Sequence, residues 1–326
     1  MGTRGRGQRR KRPAGASKAG LSEASRHAGV VAALLSCGSR RGSRTLRQVL
    51  AILLAGVCLG AVAVAAHATD ATWSAAPPNN NWNDGANWTS IPPHTVPDGT
   101  ASFGESTQKS IVFSSNFTSI GSMNFSATAP LYTFAIAGGQ GFVVVGTGTV
   151  DSQGAGGGIA NNSSFAPTFL VTGALTGISF NNFATASNAN FTISSGANLQ
   201  FFNNAGAAAS ITNTSFGSTS FFNNSSSSSP ILPGQAVFGS VIVNDSGGTT
   251  SFFAQSNAFG TVITNNLNGS TKFFDSSTAF NATITNNTNG VTIFGNSLGN
   301  DTASAGQATI LNNSGGRTDF QCLLYS

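Results

Sequence analysis

The chain has 326 residues, only 8% of them charged, with 40 Gly, 25 Phe, three Cys and a formal net charge of +5. That charge is confined to the start: up to Ala68 twelve Lys/Arg face the single acid Glu23, a balance of +11, whereas from Thr69 onward Lys109, Lys272 and Arg317 face nine Asp/Glu, a balance of −6. Three cations cannot neutralise a phosphate track, which excludes nucleic acid as a partner of the body of the chain, and Cys322 alone beyond Thr69 excludes an intramolecular disulfide there.

Residues 1–68 read as an export leader, disordered or helical. A long basic region is followed by an apolar run from Val49 to Ala66 and by the small-residue pattern Ala66-His67-Ala68, which places signal cleavage after Ala68. An uncleaved anchor is the alternative, since the run approaches the roughly 20 residues that span a bilayer. No basic stop-transfer flank follows it. Lipidation at Cys58 is a weaker reading, because Ala55-Gly56-Val57 matches the required preceding pattern poorly. The stretch before Leu46 is long for such a leader, as an extended leader or an upstream start would make it.

Residues 69–103 are punctuated by Pro and Gly and carry Trp73, Trp82 and Trp88. Proline interrupts a central ladder, and large aromatics can cover the open end of an apolar stack, so this segment is expected to be an N-terminal cap. The functional alternative is a glycan-contact surface in which those three indoles stack on sugar rings.

From 104 to 320 the chain is a succession of short runs rich in Ile, Val, Phe and Thr, such as Ser110-Ile111-Val112-Phe113 and Gly141-Phe142-Val143-Val144-Val145, bounded by Gly, Asn or Ser. These are strand and turn signals, and no apolar stripe of helical period is sustained. Internal repetition decides the architecture. Val241-Ile242-Val243-Asn244, Val262-Ile263-Thr264-Asn265, Thr283-Ile284-Thr285-Asn286 and Thr309-Ile310-Leu311-Asn312 share one frame, with Asn-to-Asn steps of 21, 21 and 26. An aromatic element follows in the same frame at Phe252-Phe253, Phe273-Phe274, Phe294 and Phe320, while Phe201-Phe202-Asn203-Asn204 and Phe221-Phe222-Asn223-Asn224 recur at a step of 20. A unit of about 21 residues with two or three strand pieces suits one rung of a parallel β-helix. Some ten rungs at about 4.8 Å each would make a rod roughly 50 Å long. One Phe of each pair should face inward and stack on its equivalents, because successive strand residues face opposite sides. Corner Asn residues should combine left-handed backbone with hydrogen bonds to the neighbouring rungs.

Groups able to move protons or attack are scarce. His94 lies in a Pro-rich loop, Asp245 and Asp275 occupy different places in successive repeats, and Asp301 lies in an insertion, so the repeat sets no pair of carboxylates in register. Gly138-Gly139-Gln140-Gly141 and the run from Gly154 to Gly158 lack the Lys of a P-loop and the Asp of a calcium repeat, and read as turns. Sequons such as Asn87-Trp88-Thr89, Asn116-Phe117-Thr118 and Asn281-Ala282-Thr283 are glycan acceptors only on a eukaryotic secretory route. No catalytic, cofactor-binding or metal-binding residue is assigned, no cofactor is expected, and the chain is read as not an enzyme.

Two stretches carry a resemblance. One is Ala71-Thr72-Trp73 with Asn81-Trp82, Asn87-Trp88, Pro97 and Ala101-Ser102-Phe103, continuing to Ala129-Pro130-Leu131-Tyr132-Thr133-Phe134; the other is the repeat, clearest in Ala282-Thr283-Ile284-Thr285-Asn286-Asn287 beside Ser276-Ser277-Thr278-Ala279-Phe280. Together they resemble bacterial autotransporter passengers built of autotransporter-associated β-strand repeats. The resemblance implies a right-handed parallel β-helix exported to the cell surface of a Gram-negative bacterium, structural or adhesive in role. Its implied partners are surface glycans or proteins of host or neighbouring cells, or further copies of itself. Such proteins end in a translocator barrel of alternating strands, which is missing from this chain. The last repeat turns at residue 321 into the aberrant tail Gln321-Cys322-Leu323-Leu324-Tyr325-Ser326, as a fragment would.

Overall fold

A computed structural model describes residues 68–146, 157–226, 239–296 and 301–321, all within one compact unit, Ala65–Ser326. The leader up to His67, most of the second Gly-rich run and the tail from Cys322 lie outside the described residues. Among the described residues the structure is a parallel β-helix: short strands joined by tight turns, with a single 3₁₀ turn at Gly85–Asn87 and no α-helix.

Two of its faces are nine-stranded parallel sheets. The first, here the Asn sheet, runs from Ser110–Val112 through Ser210–Asn213, Val241–Asn244, Val262–Asn265 and Thr283–Asn286 to Thr309–Asn312. The second, the Phe sheet, runs from Phe117–Ile120 through Ser218–Phe221, Thr249–Phe252, Ser270–Phe273 and Val291–Phe294 to Arg317–Phe320. The third face begins as a five-stranded sheet containing Ala71–Trp73, Thr100–Phe103, Ser122–Phe125 and Gly158–Asn161. It then continues as single parallel bridges from Gly158 through Thr185, Gly206, Ser226, Asn257 and Thr278 to Ser304.

Register is strict, because the alternation of apolar and polar residues admits only one set of inward positions per strand. Asn244 pairs with Asn265 and that with Asn286, while Phe252 pairs with Phe273 and that with Phe294. Each rung therefore puts the same side chain at the same height. Ile211, Ile242, Ile263 and Ile284 line the interior from the Asn sheet, and Phe221, Phe252 and Phe273 line it from the Phe sheet, all fully buried. Ring centroids along that Phe column are 4.7 to 5.1 Å apart from Phe180 to Phe320. The second Phe of each pair points outward and stacks too, with 4.9 Å from Phe202 to Phe222 and 5.0 Å from Phe222 to Phe253.

The glycine that precedes each of the last five strands of the Phe sheet is required by close approach. A Cβ on Gly248, Gly269 or Gly290 would collide with the carbonyl oxygen of Asn213, Asn244 or Asn265 in the preceding rung.

The Trp-bearing segment closes the N-terminal end. Trp88–Ser90 pairs antiparallel with Ala71–Trp73, which ends the third sheet. The backbone of Asn80 and Trp82 bonds to Val112 on the first strand of the Asn sheet. Asn83 reaches the start of the Phe sheet through Thr118 Oγ1 (3.0 Å) and accepts from the backbone of Ser114 and Ser115. All three faces thus begin against a segment of different structure, which covers the starting edges of the ladders.

Candidate functional site

The three indoles named as a glycan-contact surface lie inside the molecule, with exposures of 1% for Trp73, 0% for Trp82 and 3% for Trp88. Trp88 packs edge-on against both others, at 5.0 Å from Trp73 and 4.9 Å from Trp82, and Trp82 stacks on Phe113 at 5.3 Å. Trp73 Nε1 donates to the Gln108 carbonyl and Trp88 Nε1 to that of Trp82, while Trp82 Nε1 is buried without a partner. Stacking on a sugar needs an open ring face. None of the three offers one.

The titratable groups serve local geometry. Asp70 Oδ1 accepts from Thr100 N (2.6 Å), Asp98 Oδ1 from Thr69 N (2.6 Å), Asp275 Oδ2 from Ala254 N (2.9 Å) and Asp301 Oδ1 from Ala303 N (2.9 Å). Asp84 accepts from Asn79 Nδ2 and Ala86 N, and these bonds hold its carboxyl below the usual carboxylate range. His94 is exposed in a left-handed turn with φ 59°. Arg317 pairs with Asp319 at 2.9 Å on an exposed strand. Lys272, partly buried in the outward row of the Phe sheet, has its ammonium pushed toward the neutral form by burial. Tyr132 donates its hydroxyl to the Gly104 carbonyl (2.8 Å), and burial pushes its phenol up to about 12. Among the described residues no three His, Cys, Asp or Glu come together as a metal would require.

What the fold does concentrate is amide and hydroxyl groups. The Asn213 side chain donates to Asn244 Oδ1 (2.9 Å), Asn244 to Asn265 (2.8 Å), Asn265 to Asn286 (2.7 Å) and Asn286 to Asn312 (2.7 Å). Six residues further on in each rung, Thr219, Thr250, Thr271 and Thr292 donate to the Oδ1 of their own Asn at 2.8 to 2.9 Å. Each amide also donates to the Thr of the next rung, as Asn244 does to Thr271 Oγ1 (3.2 Å). Asn244 and Asn265 are fully buried, and each accepts two hydrogen bonds and donates at least two. That satisfaction is what makes a polar column tolerable inside an apolar core.

A second column runs outside, where Asn287 donates to Asn266 (2.7 Å) and Asn313 to Asn287 (2.6 Å), in the opposite sense along the axis. The two tasks expected of one set of corner Asn residues are mostly separated. The buried column sits at strand ends, while left-handed backbone falls to Asn182, Asn203, Asn223, Asn268 and Asn289. Asn203 and Asn223 do both, with a 3.1 Å bond between them at the surface.

Sequence reasoning missed Asn213, because its step to Asn244 is 31 residues, and it gave the Thr of the repeat no role. Its only signal was a Thr recurring six residues after the strand-ending Asn. The outward face of the Asn sheet carries two rows of uncharged side chains, for example Ser210 with Thr212, Val262 with Thr264, and Thr283 with Thr285, interrupted by Leu170 and Leu311, half-buried or exposed. Comparison with family models, with curated proteins and with solved structures finds no match for this chain.

Proposed function

We propose that this protein is a non-catalytic, exported surface protein, the structural or adhesive passenger of an autotransporter-like system. The observation that carries the reading is the buried Asn and Thr column inside a stack of near-identical rungs. It spends the polar groups of the repeat on rigidity and leaves the acids as isolated turn and end contacts. A rod in which each rung templates the next suits a chain that crosses a membrane unfolded and folds progressively outside, since beyond the cap the sheet pairing joins only neighbouring rungs. The basic leader and apolar run supply the export signal in this reading. Partners are met along the outward faces, through repeated uncharged contacts.

Export is tested by expressing the full chain in a Gram-negative host and sequencing the N-terminus of the processed protein. The expected start is Thr69, outside the inner membrane. Display is tested by fusing residues 69–321 to an outer-membrane translocator barrel and applying external protease to intact cells. A chain that keeps its leader in the cytosol, or that stays protected from protease when fused, overturns the proposal.

A further inference from the structure

We propose that the outward face of the Asn sheet is a binding surface for a crystalline lattice of water, that is, for ice. The nine strands of this face are held in parallel register, and neither of the two outward rows holds a charged residue. A charged side chain keeps a hydration shell that a lattice cannot absorb, and its desolvation is costly. Ten of the eighteen positions in these two rows are Thr or Ser and the others are Val, Ala, Asn and the exposed Leu170 and Leu311, none of which carries such a shell.

The rows repeat at about 4.8 Å along the axis and, two residues apart on each strand, at about 6.7 Å across it. These two spacings lie close to the repeat distances of oxygen atoms on the prism faces of hexagonal ice. Thr supplies a hydroxyl that can replace a lattice water and a methyl that orders the waters beside it. β-Branched side chains are stiff at χ1, so the array of Thr283, Thr285, Thr264 and Val262 is preformed. Behind it the buried Asn column and the Ile column fix each rung, so binding orders little that is not already ordered.

Dimensions argue against a second copy as the occupant. Nine rungs by one strand width make a face of about 40 by 10 Å, about 400 Å² a side, whereas a stable protein interface needs about 800 Å² a side. A lattice needs no such minimum area in one piece, because its contacts add up from rung to rung along the rows.

The test uses the full chain in ice-recrystallisation and freezing-hysteresis assays. The expected result is faceted crystals and slowed recrystallisation at micromolar protein. Thr264→Lys combined with Thr283→Lys should reduce the effect at least tenfold, while Asn224→Lys combined with Gln255→Lys, exposed elsewhere on the rod, should leave it unchanged. Val241→Thr with Val262→Thr extends the hydroxyl row from Ser210 to Thr283 without a break and should strengthen it, which keeps the proposal testable if the Lys pair fails to fold. Unshaped crystals at every concentration, or equal loss in both Lys pairs, overturns it. So does retention on crystalline cellulose without ice shaping, or a dimer in sedimentation that the face Lys pair abolishes.

Discussion

Asn265 shows how much one side chain carries. It accepts from Asn244 and Thr271 and donates to Asn286, at 2.7 to 2.9 Å, with no exposed surface. Asn265→Leu keeps most of the volume but leaves the Asn244 amide, the Thr271 hydroxyl and the Asn286 oxygen short of a partner. Each such orphan costs about 1 to 3 kcal/mol, so a loss of at least about 3 kcal/mol is expected in urea unfolding. Asn287→Ala in the outer column removes comparable bonds where water can replace them, and about 1 kcal/mol or less is expected. Equal losses in the two variants would contradict the assignment of the inner column as the stabilising one. Tyr132 gives a second residue-scale readout. Its folded pKa, about 12, is above the unfolded value of about 10. The protonated phenol is thus favoured by folding, and this contribution is fully present below about pH 10 and is lost as pH rises through about 12. Melting of the wild-type chain should fall from about pH 9 to about pH 11.5 by more than that of Tyr132→Phe. In near-ultraviolet titration the substitution should remove a phenolate step near pH 12.

At the scale of one rung, two adjacent phenylalanines have opposite fates. Phe252 is fully buried and stacked at 4.8 Å on Phe221 and 4.7 Å on Phe273, while Phe253 stacks on the outside. Phe252→Ala should cost about 3 to 5 kcal/mol, and Phe253→Ala should cost about 1 kcal/mol, its ring being partly open to solvent. This asymmetry was legible in the sequence, because strand alternation forces one of two neighbours inward. Strand positions, the 21-residue period and the aromatic columns followed from the same local rule. What was hidden depends on contacts between rungs. That the buried Asn and the Thr six residues later form one network cannot be seen within a single repeat, since the bonds cross to the next coil. Asn213 escaped because 31 residues separate it from Asn244, and a fixed period loses its frame there. Whether the faces of the three indoles point in or out is set by packing against Phe103 and Phe113, which lie further along the chain. At Gly290 it is the Asn265 carbonyl of the preceding rung, not the local sequence, that forbids a side chain. Gly290→Ala should therefore push two rungs apart and cost about 1 to 3 kcal/mol.

For the whole molecule, rung-on-rung contact makes stability a sum of neighbour terms rather than the property of one central core. Sheet pairing joins only successive coils, and the cap meets the first coils through Val112, Thr118 and Phe113. Damage at the cap should then decay along the axis. Trp82→Ala removes a fully buried indole that touches Trp88, Phe103, Phe113, Phe134 and Phe142. It should cost about 3 to 5 kcal/mol locally. In a globular core that loss would lower the protection of every amide together. In a linear stack it should open the coils up to about Val144, while the strands Val262–Asn265 and Ser270–Phe273 keep their own Asn, Ile and Phe columns and stay protected. Hydrogen exchange read segment by segment distinguishes the two. Uniform acceleration from Ala71 to Phe294 would mean that the rungs unfold as one unit, whereas a graded profile fading toward the central rungs is the outcome that the ladder geometry requires.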